Sequence, residues 1–339
     1  MSGASSPTSV RSFGRLGFGA AQLGNLGRET TDDEARAAVD AAWDRGIRYF
    51  DTAPHYGLGL SESRLGAALA DRPRDEYILS TKVGRLIVDD PEGVSRSDDE
   101  GFAVSGVRRR RWDLSRDGIR RSIDDSLTRL GLDRVDIAYL HDPDARPRQA
   151  LEEALPALIE LRDEGVVRAV GAGMNQSAML AQFVRELPID VVMLAGRFTL
   201  LEQPALDDLL PLALERGVEV VAAGVYNSGL LSSAVVPDDA SYDYGPAPRS
   251  IIERVREIAA ICALYGADLP TVAAQFPLRY PAISSVVIGM RTASHVHSNI
   301  ERLHAAIDPQ LWSALAHAEV IPAAFAIQPA EPSTEEASQ

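Results

Sequence analysis

The sequence is nearly empty of lysine and cysteine. Among its 34 cationic residues Lys82 is the one lysine and all others are arginine, and its one cysteine is Cys262. A single thiol excludes an internal disulfide and any cysteine-rich metal site. Set in the helical pattern IIERVREIAAICALYG, Cys262 reads as a small buried hydrophobe rather than a nucleophile. No apolar run approaches the ~20 residues that span a bilayer, and the opening MSGASSPTSVRSFG lacks the apolar stretch of a secretory signal. The expected setting is therefore cytoplasmic, with no membrane partner. Positive charge is scarce as well: 34 Lys and Arg against 49 Asp and Glu give a formal charge of −15. That balance argues against nucleic acid and for a small-molecule partner. The basic run Arg108 to Arg111 reads as a solvated loop, with phosphate or partner contact as the alternative.

What the sequence has in place of these is a regular alternation. Short apolar runs occur at 16–21, 47–51, 77–82, 135–141, 166–171, 191–195, 218–224 and 284–289. Most lack polar alternation, as expected of parallel strands covered on both faces. Helical patterns fall between them. Thr31 and Glu34 spell a capping box, Ser61 and Ser115 stand where further helices would open, and Pro156 and Pro211 mark kinks or first turns. Eight such repeats favour closure into a single (β/α)8 barrel of the TIM type over an open sheet, since neither Gly17-x-Gly19 nor Gly171-x-Gly173 has the third glycine of a dinucleotide turn. The barrel is expected over residues 13–325, with 1–12 and 326–339 as flexible tails. The polar stretches 84–112 and 228–248 would leave the carboxyl ends of strands, where barrels carry ligand loops; 89–107 reads equally as a lid or as disorder.

Three ionisable residues, Asp51, Lys82 and His141, end successive strand-like runs and would meet on one rim. Tyr56 lies five residues past Asp51, close enough to return to it. A phenol titrates near ~10, and a neighbouring ammonium favours the phenolate. Lys82 would supply that charge, Asp51 would hold it, and His141 would orient a substrate oxygen. Each residue alone has an ordinary alternative as a turn cap, a core histidine or a packing tyrosine. Their convergence, including the sole lysine, is what points to chemistry.

The strings FDTAPHYG at 50–57, STKVG at 80–84 and YLHDPD at 139–144 resemble the aldo-keto reductase superfamily, whose catalytic tetrad is Asp, Tyr, Lys and His. The segments FGAAQLGNL, GAGMNQ, AGRFTLLEQ and YNSGLL resemble the branch that holds D-threo-aldose 1-dehydrogenase, the L-fucose and L-galactose dehydrogenases and pyridoxal 4-dehydrogenase. The resemblance implies an enzyme that exchanges hydride between nicotinamide and a carbonyl or sugar substrate, the branch pointing to oxidation of an aldose at C1. It implies cofactor contacts at Asn175, Gly289, Arg291, Thr292, His295 and Asn299. Many family members carry an arginine where His295 stands, and it grips the NADP 2′-phosphate; histidine there tilts the choice between NAD and NADP towards NAD, with Arg291 still available. Phe198 is an aromatic candidate for the place of the family's stacking tyrosine, with plain core packing the favoured reading. Trp112, Asp142 and Asp144 are candidate sugar contacts by chemistry, with placement on a surface loop as the equal alternative for each. His295, His297 and His304 have no carboxylate in a recognised metal spacing, so no metal is expected. Two other readings use the same residues: a broad NADPH-dependent aldehyde or ketone reductase, and a cofactor-sensing binding module without turnover. A Schiff base on Lys82 is a third chemistry.

Overall fold

The computed structural model describes residues 9–243 and 245–326. Eight parallel strands close into a barrel in chain order: β1 Leu16–Gly19, β2 Tyr49–Asp51, β3 Ile78–Val83, β4 Ile137–His141, β5 Ala169–Met174, β6 Val191–Ala195, β7 Glu219–Ala223 and β8 Ile283–Gly289. This is the expected (β/α)8 barrel. Every strand touches only its sequence neighbours, and β8 returns to pair with β1.

Side chains alternate along each strand. Tyr49, Ile78, Ile137, Tyr139, Val191, Met193, Val221 and Val287 form an inner core distinct from the larger cluster between barrel and helices. Residues two further along the same strands, Asp51 past Tyr49 and His141 past Tyr139, therefore sit above that inner core at the mouth. The core is tied by the Tyr49 and Tyr139 hydroxyls 3.3 Å apart. Val10 belongs to it, and its backbone N–H donates to Glu219 Oε2 at 3.0 Å. Residues near Val10 thus close the base of the barrel instead of trailing from it as a tail. Residues 1–8 and 327–339 of the expected tails lie outside the described residues.

The helix signals are met unevenly. Thr31 and Glu34 make the reciprocal capping box, and Ser115 caps the helix Arg116–Leu130 through Gly118 N–H. Pro211 falls in the first turn of Leu209–Arg216, and Pro156 follows a wide π-turn over Ala150–Ala154. Ser61 is not a cap. It lies inside the helix Leu60–Leu69, fully buried, donating to the Ala20 carbonyl at 2.7 Å and pairing with Thr52 Oγ at 2.9 Å. Among the described residues no single helix is long and apolar enough to cross a membrane. Cys262 is buried, as expected, and burial pushes its thiol up to about 12.

Two loops build the mouth. After β3 the chain forms an antiparallel hairpin, Arg85–Asp89 with Arg108–Trp112, whose connection touches the barrel through Leu26 and Phe102. After β7, the short pair Ser241–Tyr242 and Gly245–Pro246 is pinned to the β6 loop: Tyr242 donates to Glu202 at 3.0 Å, and Arg197 reaches Asp243 at 2.9 Å.

Candidate active site

The ends of β2, β3 and β4 bring Asp51, Lys82 and His141 together, and the loop after β2 returns Tyr56 over them. Lys82 Nζ donates to Asp51 Oδ2 at 2.7 Å, to the Thr52 carbonyl at 3.1 Å and to the Tyr56 hydroxyl at 3.0 Å. All three ammonium hydrogens are used. Because the Tyr56 oxygen accepts from Lys82, its own hydrogen is free to point elsewhere. Ser80 donates to the second Asp51 oxygen at 2.7 Å, so the carboxylate is held at both ends. The His141 ring stands edge-on to Tyr56, 5.9 Å between centroids.

Burial and charge compete at each group. Burial raises the Tyr56 phenol more than the Lys82 charge lowers it, so the net shift is upward. The sequence predicts a lowered phenol; desolvation at a closed mouth reverses the sign. Burial disfavours the Lys82 ammonium, but Asp51 and Tyr56 outweigh it and the amine titrates above its usual value. His141 is held well below its usual value by burial first, and then by the charge of Arg85.

Several neighbours were not singled out from sequence. His55, next to Tyr56, packs its ring 5.3 Å from both His141 and Phe102. Arg85 donates to His55 Nδ1 at 3.0 Å and to Asp142 Oδ2 at 2.9 Å. Arg110, from the supposed solvated run, turns inward to the His55 carbonyl at 2.8 Å and pairs with the buried Asp98. The signal was the placement of Arg85 directly after the STKVG string and of His55 within APHYG; no local pattern marks Arg110.

The proposed sugar contacts lie on this rim, but two are occupied. Arg85 and Arg146 each place a guanidinium 4.6 Å from the Trp112 ring centroid, so its π surface is already engaged by cations rather than open to a sugar. Asp142 is committed to Arg85, while Asp144 Oδ1 is buried without a hydrogen-bond partner.

Across the mouth, the candidate cofactor residues follow β5 and β8. Asn175 is half-buried just beyond β5, whose Gly173 is in register with His141. A Cβ at Gly289 would come 2.3 Å from the Gln22 side-chain amide, whose buried oxygen has no partner. The Gln22 side chain therefore fills the space over Gly289, and its unsatisfied oxygen is the group there that suits a ligand donating hydrogen bonds, as a nicotinamide carboxamide or a ribose does. Thr292 caps the helix Ala293–His304 by accepting from His295 N–H, and that helix start suits an anion. Asn299 is tied to Tyr226, which donates to it at 2.8 Å, and to the His295 carbonyl at 2.9 Å. Arg291 is less available than its sequence position suggests: its guanidinium is spent on Leu26, Arg28 and Thr30 of the loop after β1. Phe198 is core, fully buried against Phe276. After β7, Asn227, Ser228 and Gly229 carry successive positive φ of 44°, 57° and 92°, a left-handed turn that the sequence does not mark.

A barrel mouth that joins a phenol, an ammonium, a carboxylate and an imidazole has the groups to exchange a proton with a carbonyl or hydroxyl oxygen. The chain belongs to the aldo/keto reductase family, whose model matches residues 15–319. It is 49% identical to D-threo-aldose 1-dehydrogenase of Pseudomonas sp over 312 residues, 91% of this chain and 94% of that one. It is 37% identical to pyridoxal 4-dehydrogenase of Microbacterium luteolum, covering 88% and 92%. Among solved structures it resembles the holo form of aldo-keto reductase AKR11C1 from Bacillus halodurans, with a TM-score of 0.68, 27% identity and coverage of 86% and 87%. The chain is therefore an NAD(P)-dependent oxidoreductase.

Proposed function

We propose that the chain oxidises an aldose at its anomeric carbon to a lactone, with NAD as the preferred acceptor and Tyr56 as the proton-exchange residue. The observation that carries this reading is the 3.0 Å contact of Tyr56 with an ammonium that Asp51 fixes. A bound nicotinamide dinucleotide would supply the hydride acceptor and, in its oxidised form, a positive charge that favours the phenolate. Asn175, Gly289, Thr292, Asn299 and the loop around Gln22 would hold it. In oxidation Tyr56 takes the anomeric hydroxyl proton while Lys82 stabilises the phenolate, and His141 holds the same oxygen by hydrogen bonding.

NAD is supported by the electrostatics at His295. Burial, then the nearby Arg291 charge, keeps that imidazole below its usual value, and the Arg291 guanidinium is committed to the 26–30 loop. A 2′-phosphate would meet no free fork at either residue. The likeness to D-threo-aldose 1-dehydrogenase supports the aldose.

One observation favours a second reading. A phenol held above its usual value stays protonated, and the protonated form is the one that carbonyl reduction uses. Following both directions with both cofactors separates the two, and trapping the sugar product with hydroxylamine reveals a lactone. For Tyr56→Phe the expected loss in turnover is about 10²–10⁴-fold with cofactor affinity unchanged; undiminished turnover rejects the role.

A further inference from the structure

The hairpin after β3 carries a residue whose contacts exceed those of a structural strut. Arg85 donates to His55 Nδ1 at 3.0 Å and to Asp142 Oδ2 at 2.9 Å, and its guanidinium lies over Trp112. A guanidinium has no acceptor, so His55 Nδ1 must present its lone pair to it, and the ring cannot be an imidazolium in this geometry. His55 in turn stands edge-on to His141 at 5.3 Å.

We propose that Arg85 is a positioning residue that holds His55 and His141 as uncharged imidazoles above Tyr56. The surroundings of His141 are accounted for from every side. The β2 loop offers Tyr56 and His55, with Asp51 at the strand end. Strand β3 and its hairpin offer Lys82, Arg85 and Arg110. On its own segment Asp142 Oδ2 lies 3.4 Å from His141 Nε2. Each cation has a carboxylate of its own, Lys82 with Asp51, Arg85 with Asp142 and Arg110 with Asp98, and the hairpin's Glu100 lies 3.7 Å from Arg85, from Arg110 and from His55 Nδ1, so that two guanidinium groups compete with His55 for it. Asp142 is the one carboxylate close enough to draw a proton onto His141, and Arg85 engages it. The downward shifts agree: after burial, Arg85 is the largest cause at both histidines, and His55 falls to about 2.

The consequence for the proposed reaction, on which this step rests, is that His141 offers one N–H to the substrate oxygen. It adds no positive charge next to the Lys82 ammonium or an oxidised nicotinamide ring. An imidazolium would oppose both. Arg85 would thus set the acid limit of the enzyme's working range without touching the reacting atoms.

Titration of the full-length, histidine-labelled protein by NMR tests this without turnover. In the parent, His141 should stay uncharged well below the usual imidazole midpoint. In Arg85→Gln its midpoint should rise by at least about one unit, a tenfold gain in proton affinity. The kcat/KM profile should acquire a matching fall towards acid pH. Arg85→Lys, which keeps the charge, should remain near the parent. If the glutamine variant does not fold, Arg85→Met, which keeps the packing on Trp112, carries the same prediction. Parent-like titration of His141 in the neutral variants, or equal behaviour of the lysine and neutral variants, overturns the proposal. Absence of turnover on any sugar or carbonyl would count against the proposed reaction while leaving the histidine titration readable.

Discussion

Replacing Lys82 by methionine keeps the length of the stem and deletes the charge. Lys82 and Asp51 are each 2% exposed, and their contact is 2.7 Å. Removing one partner of such a pair leaves a buried carboxylate uncompensated, which costs about 3–5 kcal/mol. Ser80 still donates to Asp51, but the Thr52 carbonyl loses its ammonium donor. The unfolding free energy from urea denaturation, followed by tryptophan fluorescence, should fall by about that amount. Turnover should fall by about 10²–10⁴-fold, because the phenol loses the charge that stabilises its anion. The two losses have different origins and separate in a double variant. Adding Asp51→Asn to Lys82→Met removes the orphaned charge and keeps a hydrogen-bonding group for Ser80, so most of the stability should return while turnover does not. A single variant that loses less than about 1 kcal/mol, or a double variant that regains turnover, would refute the reasoning.

His295→Arg places a guanidinium on an exposed first-turn position of the helix that Thr292 caps. One charge-assisted bond to a 2′-phosphate contributes about 1.5–3 kcal/mol, so the ratio of NADP to NAD affinity should rise about 10–100-fold. Cofactor titration by fluorescence quenching checks it, and an unchanged ratio would show that the phosphate end lies elsewhere. Gly66→Ala should destabilise by about 1–3 kcal/mol or more, because a Cβ there would sit 1.9 Å from the Leu130 carbonyl, where the helices Leu60–Leu69 and Arg116–Leu130 touch. Thermal denaturation measures the loss, and a parent-like Tm would place the two helices further apart.

The barrel was legible because parallel strands buried on both faces print as apolar runs, and because Asp51, Lys82 and His141 each stand at or within one residue of a strand end. Long-range contacts were not. Ser61 carries the local signature of a cap, yet its hydroxyl serves Ala20 and Thr52 inside the molecule. The run Arg108–Arg111 reads as one solvated charge cluster, but pairing with Arg85–Asp89 makes it a strand. Alternation then sends Arg110 inward while Arg109 and Arg111 stay exposed. Arg291 looks free because the carbonyls that occupy it lie more than 260 residues away in the chain. The sign of the Tyr56 shift was missed for a related reason: sequence shows the neighbouring lysine but does not weigh its charge against burial.

The scarcity of lysine acquires a geometric meaning at this site. One nitrogen atom must donate to a carboxylate, a backbone carbonyl and a phenol oxygen that approach it from different directions, at 2.7, 3.1 and 3.0 Å. A tetrahedral ammonium does this with its three hydrogens, whereas a guanidinium spreads five donors over three nitrogens in a plane. Arg64, Arg74 and Arg110 bridge carbonyls and carboxylates, where a planar fork serves well. At position 82 the charge must be compact, because only then does the Tyr56 oxygen accept from the same nitrogen that serves Asp51 and Thr52 and keep its own hydrogen free.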